Sequence, residues 1–498
     1  MSHSAGTLPA LAAGQFPALA AEPRVVYLDS AATTQKPRPV IEAVTATLAA
    51  QTANPGRGSY PWSSRGAQRI AAVRAQAAGF VGAAGPDEIV FTPGATAGLN
   101  AVALSWGLAN LADGDEILFS PHDHSSNVYP WLHLRQLLAR SGRRVTLIPY
   151  TVTQSGQADA ADIAAKLSSR TRLLAVTHLH HVFGALSTLA ELRDHLGPAV
   201  RVCLDCSQSG GHVPVDVGAL GCDFAVLSGH KMFGVAGAGL LYARRRVHPE
   251  LTPFLPGGSS GVQPAGEGLG QLRMPEGLEG GTPDLAAISA LGAAMDFIDG
   301  VSLAQITAHN QALTRFLVER LRSMPRVSLL PGVAWDTGQP GHGIVSFRID
   351  GVHSEDIGFA LAAQGFYVRT GNHCLPAGST YEDSVRVSVQ IYNSGYDLER
   401  FTTFLALIAE GTLLRAELWP CVLPGGRLRP HRGIWDPGRA GSSWAVRRRT
   451  CPGGISGSGA QHRLPDRTAG TRAGYPPDPR PAAVPHFVHA ALPRAPGD

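Results

Sequence analysis

Short apolar runs recur between residues 88 and 244, and segments with helical spacing separate most of them. The runs predict strands at 88–92, 116–120, 144–149, 173–177, 200–205, 224–227 and 239–244. Strands that are apolar on both faces and alternate with helices are typical of a mostly parallel sheet covered by helices on each side. We therefore expect an α/β fold whose large domain contains a mostly parallel, seven-stranded sheet.

The pattern changes after residue 284, where helices and strands follow in a mixed order. Helices are predicted at 285–297, 301–323, 354–364 and 398–410, and strands at 327–330, 344–349, 367–369 and 384–389. This order predicts a smaller α+β domain at 285–415 beside a large domain at 24–284. Residues 1–23 are expected to form a leader, and residues 416–498, rich in Pro, Gly and Arg, a disordered tail.

Composition excludes several functional classes. Of 498 residues, 44% are hydrophobic and the net charge is only +4, so we expect a large core and no nucleic-acid partner. No apolar run approaches the ~20 residues of a membrane span, and the N-terminus lacks the basic region of a signal peptide. Six cysteines are too sparse for a disulfide framework, which favours a cytoplasmic setting without a membrane partner. The CxxC formed by Cys203 and Cys206 has no second pair, which favours packing over a metal site.

One lysine stands out at the end of a predicted strand. Lys231 follows the apolar run 224–227 and is one of three lysines in a chain that otherwise uses arginine. Lys36 and Lys166 are predicted to be solvated surface cations. Unlike arginine, a desolvated lysine can lose its proton and form an imine. Since ligands of parallel α/β sheets bind at the carboxyl ends of strands, Lys231 is a candidate catalytic residue.

Asp205 ends another predicted strand, at 200–205, and completes a pair that pyridoxal phosphate (PLP) requires. A carboxylate keeps the pyridine nitrogen protonated, and a lysine binds the aldehyde carbon. The phosphate of PLP needs hydroxyls and backbone N–H groups at the start of a helix. Ala95 and Thr96 directly precede a predicted helix and could supply these groups. Ser228 lies beside Lys231 and could complete that cradle. The residues thus predict PLP as the cofactor.

A set of motifs in a fixed order carries a family resemblance. They are YLDSAATTQKP, FTPGATAGLN, HDHSSNVYPW, THLHHVFG, LDCSQSGGHVPVDV, SGHKMFG, EGGTPD and RTGNHC. With them the sequence resembles the class V aminotransferase-like enzymes, and among these the group II cysteine desulfurases and selenocysteine lyases, over residues 24–411. The resemblance implies the fold type I of PLP-dependent transferases and a homodimer.

The resemblance also implies roles for individual cofactor-binding residues. Lys231 would bind the cofactor covalently, Asp205 would pair with its ring nitrogen, and Gln208 would contact its phenolic oxygen. His124 would stack on the ring, and His181 stands where the family usually has an asparagine that bonds the ring oxygen. Thr282 would reach the phosphate of the cofactor in the other subunit. The remaining cofactor-binding residues would lie at the phosphate: Ala95, Thr96, Ser228 and His230.

Four further residues would serve the substrate and the reaction. Arg386 matches the arginine that clamps the substrate carboxylate, and Arg369 would line the same pocket. Tyr60 stands where desulfurases of this group tend to have a histidine. Cys374 occupies the position of the family's nucleophile, which takes sulfur from bound L-cysteine and keeps it as a persulfide for a sulfur-acceptor protein, as in iron–sulfur cluster assembly.

Three functions remain open from the sequence. The first is a cysteine desulfurase that forms L-alanine and a persulfide on Cys374. The second is another class V PLP enzyme, such as a selenocysteine lyase, an epimerase or a transaminase-like member, for which Cys374 is incidental. The third is a PLP-binding scaffold without turnover.

Overall fold

The computed structural model describes residues 8–412 except 51, 193, 259, 263, 271 and 332–340. The predicted tail at 416–498 lies outside the described residues, so its disorder stays a prediction. The helices are α1 (Pro17–Ala21), α2 (Arg38–Ala50), α3 (Pro61–Val81), α4 (Ala95–Ala101), α5 (Leu108–Asn110), α6 (Tyr129–Arg140), α7 (Ala160–Lys166), α8 (Val217–Leu220), α9 (Leu285–Val301), α10 (Leu303–Arg322), α11 (Ser354–Ala363) and α12 (Gly395–Ala409).

The strands follow the predicted order closely. They are β1 (Val26–Tyr27), β2 (Ile89–Thr92), β3 (Glu116–Phe119), β4 (Thr146–Pro149), β5 (Thr171–Thr177), β6 (Arg201–Asp205), β7 (Phe224–Ser228), β8 (Gly239–Ala243), β9 (Pro264–Ala265), β10 (Gly268–Leu269), β11 (Val327–Leu329), β12 (Ile344–Ile349), β13 (Phe366–Tyr367), β14 (Arg369–Gly371) and β15 (Ser384–Ser388). The run predicted at 367–369 is divided between β13 and β14, which pair with different strands.

A seven-stranded sheet has the order β2-β8-β7-β6-β5-β3-β4. Only β8 runs antiparallel to its neighbours, so the prediction of a mostly parallel sheet is confirmed. Side chains of β7 alternate between two cores, with Ala225 and Leu227 on one face and Phe224 and Val226 on the other. Burial on both faces explains why the sequence of β7 is continuously apolar.

A second sheet lies in the C-terminal part, with the order β11-β12-β15-β14 and antiparallel pairing throughout. Helices α10, α11 and α12 contribute to its separate core. Near the N-terminus, β1 pairs with β13, and Val26 and Leu28 pack in this C-terminal core. The domain limits at 23, 284 and 415 stay predictions.

Residues of the predicted leader also belong to the packed structure. Phe16 is fully buried and lies 4.9 Å from Tyr392 and 5.8 Å from Phe297, measured between ring centroids. The amide of Leu11 donates to the carbonyl of Ile391 at 2.8 Å. The sequence did not predict this anchor, because an isolated phenylalanine among Ala, Gly and Pro has no periodicity.

Local signals define several helix ends. Pro61 begins α3, where its missing N–H costs nothing, and Gly82 ends it in the left-handed conformation at φ 67°. Ser394 and Asp397 form a reciprocal capping box at the start of α12. Among the described residues no single helix has the length and hydrophobicity of a membrane span; α9 and α10 meet those limits only together, across a 74° bend.

Candidate active site

A cavity of about 190 Å³ lies at the carboxyl ends of β5, β6 and β7, between the large sheet and the C-terminal sheet. Its lining includes every predicted site residue except Tyr60 and Thr282. These lining residues are Ala95, Thr96, His124, His181, Asp205, Gln208, Ser228, His230, Lys231, Arg369, Cys374 and Arg386. Because parallel strands bring their carboxyl ends to one edge, residues far apart in sequence meet here.

Lys231 ends a one-turn helix that directly follows β7, and its amine reaches the cavity. Burial lowers the pKa of Lys231 to about 8, while Asp205 acts in the opposite direction. Asp205 ends β6, is almost fully buried, and accepts a hydrogen bond from the amide of Ser207 at 2.9 Å. A carboxylate and an amine of reduced basicity thus line the same cavity, as the sequence predicted.

Lys36 corrects one sequence prediction. It is half-buried instead of solvated, and its ammonium donates to the carbonyl of His230 at 2.9 Å. Burial lowers the pKa of Lys36 to about 8. Lys166 differs, since it forms an i,i+4 ion pair with Asp162 at 2.8 Å with its side chain 33% exposed.

Two imidazoles that line the cavity contact each other. The His124 and His181 rings lie 4.9 Å apart at 71°. Nδ1 of His124 accepts from the amide of Ser126 at 3.1 Å, and burial lowers the pKa of His124 to about 3. Burial also holds the pKa of His181 well below its usual value, and neither of its ring nitrogens has a hydrogen-bond partner in the described structure. Both rings are therefore neutral near pH 7.

Arg386 is fixed by groups from two other parts of the chain. Its Nη2 donates to Asp29 Oδ1 at 3.1 Å, and its Nη1 donates to the carbonyl of His181 at 3.1 Å. Its Nε is buried and has no partner among the described residues. A buried guanidinium with a free N–H is suited to a carboxylate ligand.

Cys374 lies on a loop held in an uncommon backbone conformation. His373 and Cys374 both have positive φ, 53° and 63°. The amide of Cys374 donates to Asn372 Oδ1 at 3.1 Å, and its carbonyl accepts from the amide of Ser125 at 2.9 Å. Arg369 Nη2 lies 3.5 Å from Cys374 Sγ. Successive left-handed residues cost free energy and cluster at functional sites.

Tyr60 and Thr282 lie outside this cavity. The side chain of Tyr60 is 49% exposed, and Thr282 is also exposed. The role predicted for Thr282 depends on a second subunit, and the roles of both residues stay predictions.

Several lining residues were not predicted from the sequence. They are Ala31, Ala32, Ser126, Leu179, Ser207 and His373. Ser207 lies two residues beyond β6, and His373 lies in the RTGNHC motif, so proximity to a strand end or to a motif could have found both. Leu179 carries no chemical signal.

The donor set fits PLP. Besides Lys231 and Asp205, the lining contains hydroxyls at Thr96 and Ser228, which suit a phosphate. Around the same space lie buried polar atoms that have no partner in the described part of the chain, namely both ring nitrogens of His181 and Oε1 of Gln208. Buried polar groups are normally hydrogen-bonded, so these atoms indicate a polar ligand.

A seven-stranded α/β sheet with a lysine and a carboxylate at adjacent strand ends is typical of fold type I PLP enzymes. Comparison with known proteins agrees. The model of the family described as aminotransferase class-V matches residues 26–401. A cysteine desulfurase of Klebsiella pneumoniae (strain 342) is 37% identical over 392 residues, 77% of this chain and 93% of the relative. One of Escherichia coli (strain K12 / DH10B) is 34% identical, covering 79% of this chain and 96% of the relative.

Solved structures give the same result. The apo cysteine desulfurase of Thermococcus onnurineus NA1 superposes with a TM-score of 0.73 at 28% identity, covering 81% of this chain and 98% of that one. The Escherichia coli cysteine desulfurase CsdA has a TM-score of 0.72 at 28% identity, covering 80% of this chain and 98% of that one. The chain belongs to the class V aminotransferase family, in its cysteine desulfurase branch.

Proposed function

We propose that this protein is a PLP-dependent cysteine desulfurase that converts L-cysteine to L-alanine and retains the sulfur as a persulfide on Cys374. The observation that carries this proposal is the meeting of Lys231, Arg386 and Cys374 in one cavity, with Arg369 beside the thiol. Relatives called cysteine desulfurases, 34–37% identical, support it. A structure of C-DES with glycine covalently linked to its PLP cofactor supports the choice of cofactor.

The cofactor would be held by side chains that line the cavity. Lys231 would bind it covalently, Asp205 would pair with the ring nitrogen, and His124 would stack on the ring. Gln208 would contact the phenolic oxygen, as would His181 in place of the usual asparagine. Phosphate would be held by Thr96, Ser228 and His230 beside Ala95. When bound, PLP supplies an electron sink for bonds broken next to the substrate's amino group.

Substrate orientation would depend on Arg386. Its position is fixed by Asp29 and by the carbonyl of His181, while Nε is free to donate. A carboxylate bound there would place the amino end of cysteine towards Lys231. Because burial lowers the pKa of Lys231 to about 8, its amine can both accept and return a proton near neutral pH.

Cys374 would perform the sulfur transfer. Its thiolate attacks the sulfur of bound cysteine, so that an S–S bond forms while the Cβ–S bond breaks. The electron pair of the broken bond remains on Cβ of the substrate. Cβ then takes up a proton, and the product leaves as alanine. Arg369 would orient the attacking sulfur before the bond forms.

The Cys374→Ser variant tests this assignment. We expect it to keep the visible absorbance of bound PLP and to lose alanine production from cysteine under reductant. Mass spectrometry of the wild-type Cys374 peptide should show the mass of one added sulfur atom. Undiminished alanine production by the variant would instead identify a class V enzyme that does not use Cys374. PLP binding by the wild type without turnover of cysteine or selenocysteine would identify a scaffold.

We further propose a cytoplasmic homodimer that passes sulfur to an acceptor protein, as for iron–sulfur cluster assembly. The exposed Tyr60, Trp62 and Thr282 support a second subunit, which would bury two aromatic side chains that are 49% and 48% exposed. Light scattering of the purified protein should give twice the mass of the chain. A monomeric mass would contradict the dimer and with it the role of Thr282.

A further inference from the structure

One backbone carbonyl beside the candidate catalytic lysine receives an unusual number of donors. The oxygen of His230 accepts from Thr33 Oγ1 at 3.0 Å, Thr34 N at 3.1 Å, Thr34 Oγ1 at 3.2 Å and Lys36 Nζ at 2.9 Å. A carbonyl oxygen has two lone pairs, so four donors exceed what an ordinary turn requires. The peptide group they hold is the one that joins His230 to Lys231.

The same segment also holds the other end of the lysine loop. Thr34 Oγ1 accepts from the amide of Phe233 at 2.8 Å while donating to His230. Phe233 has a left-handed φ of 67°, which a non-glycine residue adopts only when its surroundings impose it. Thr34 is 1% exposed. Contacts at residues 230 and 233 therefore bracket Lys231 on both sides.

Lys36 makes this contact at a cost. Burial alone lowers the pKa of Lys36 to about 8, with no carboxylate contributing to the shift. Its ammonium also donates to Thr33 Oγ1 at 3.2 Å. A desolvated cation that lies on a carbonyl without an acidic partner is a weak contributor to stability. The hydrogen bond from Lys36 therefore matters more for the position of the His230 carbonyl than for the stability of the fold.

We propose that Thr34 and Lys36 are positioning residues that fix the turn carrying Lys231, so that its amine points into the cavity. The inference rests on the proposed function, because it assigns Lys231 the catalytic amine. Neither residue lines the cavity, so they act through the loop and not through contact with substrate. The charged and titratable groups that interact with the amine include Asp205, Arg386, Cys374, Arg369, Asp29, His124 and His181.

The test uses the full-length chain and five variants. Lys36→Met and Thr34→Val remove the contacts, whereas Lys36→Arg and Thr34→Ser retain a donor at each position. Lys166→Met is the matched control, since Lys166 pairs with Asp162 on α7 and lies outside the cavity lining. Thermal unfolding establishes that each variant is folded.

The first measurement needs neither cofactor nor turnover. Because the chain has three lysines, trace acetylation followed by mass spectrometry reports each ε-amine separately as a function of pH. In Lys36→Met and Thr34→Val, the midpoint for Lys231 should move from about 8 towards 10.5, since the amine becomes less buried. Lys36→Arg, Thr34→Ser and Lys166→Met should keep the wild-type midpoint.

The second measurement follows the visible absorbance of the PLP-loaded protein after hydroxylamine is added. Loss of the band should be about tenfold faster in Lys36→Met, which loses one charge-assisted hydrogen bond, and in Thr34→Val, which loses two neutral ones. An unchanged midpoint and an unchanged rate in both variants would overturn the proposal. Changes in Lys36→Arg and Thr34→Ser as large as those in Lys36→Met and Thr34→Val would also overturn it. In that case the segment would support the fold in general and would not position Lys231 through these donors. A wild type that binds no PLP would contradict the proposed function instead, and the acetylation midpoints would still decide the positioning role.

Discussion

Arg386 Nη2 lies 3.1 Å from Asp29 Oδ1, and the two side chains are 3% and 20% exposed. Asp29 follows β1, whereas Arg386 lies on β15 of the C-terminal sheet and also donates to the carbonyl of His181 beyond β5. One guanidinium thus joins three distant parts of the chain at the wall of the cavity. Its orientation is a property of the assembled fold.

Replacing Arg386 by lysine should raise the KM for L-cysteine more than it lowers kcat. Lysine keeps the charge but cannot hold Asp29, the carbonyl of His181 and a substrate carboxylate with one planar group. We expect KM to rise about tenfold to a hundredfold, as for one or two charge-assisted hydrogen bonds. Steady-state kinetics measures this. Arg320→Lys, at an exposed ion pair with Glu399, is the control and should leave KM unchanged.

Arg369→Gln should slow alkylation of Cys374 by iodoacetamide. Removing the guanidinium that lies 3.5 Å from Sγ removes a positive charge beside the attacking sulfur, and we expect a rate about three- to tenfold lower. Mass spectrometry of the Cys374 peptide gives the rate separately from the other cysteines. If Arg369→Gln and the control Arg320→Gln react alike, the contact does not activate the thiol.

Phe16→Ala should destabilise the protein by about 3 kcal/mol or more, the usual cost of emptying a fully buried aromatic site. Urea unfolding measures the loss. Leu11→Ala is the matched control, because the Leu11 side chain is 41% exposed and its anchoring contact is made by the backbone. Equal stability of the two variants would show that residues 8–23 are not part of the cooperative unit.

Acid should unfold the protein steeply because many of its histidines are neutral when folded. Burial lowers the pKa of ten of them in the described part of the chain: His122, His124, His178, His180, His181, His212, His230, His309, His342 and His373. Unfolded histidine titrates near 6.5, so the unfolded chain binds more protons below that pH. The stabilisation that comes from keeping these histidines neutral is complete above pH 6.5 and is lost as the pH falls towards 4. The free energy of unfolding then decreases by about 1.4 kcal/mol per pH unit for each additional proton that the unfolded chain binds.

Asp123 affects the free energy of unfolding in the opposite direction. Burial raises the pKa of Asp123 to about 7, so the folded chain binds this proton at a higher pH than the unfolded chain does. This effect offsets that of about one histidine. The free energy of unfolding should therefore still decrease with falling pH at a rate that corresponds to several protons. Urea midpoints between about pH 8 and about pH 5 should fall continuously below about pH 6.5. A midpoint independent of pH over this range would contradict burial of the imidazoles.

Much of the fold could be predicted from the sequence, because its signals are local. The continuous apolar run of β7 requires burial on both faces, and the polar residues after it mark the strand end where Lys231 lies. Asp205 was found in the same way at the end of β6. The resemblance then placed Cys374 and Arg386, which no periodicity identifies.

The tertiary structure alone decided which of these residues act together. Lys36 looks like a surface cation because a TTQKP turn carries no sign of the His230 carbonyl that it meets almost two hundred residues later. Phe16 looks like part of a leader because its partners lie near residues 233, 297 and 392.

The sequence by itself determined the strands, their polar ends and the residue types available for chemistry, since these depend on side chains a few positions apart. Only the tertiary structure decided that β1 pairs with β13, that Asp29 holds Arg386, and that Tyr60 and Thr282 lie outside the cavity. Such contacts depend on the free energy of closing long loops and burying surface between distant segments, which no local pattern encodes.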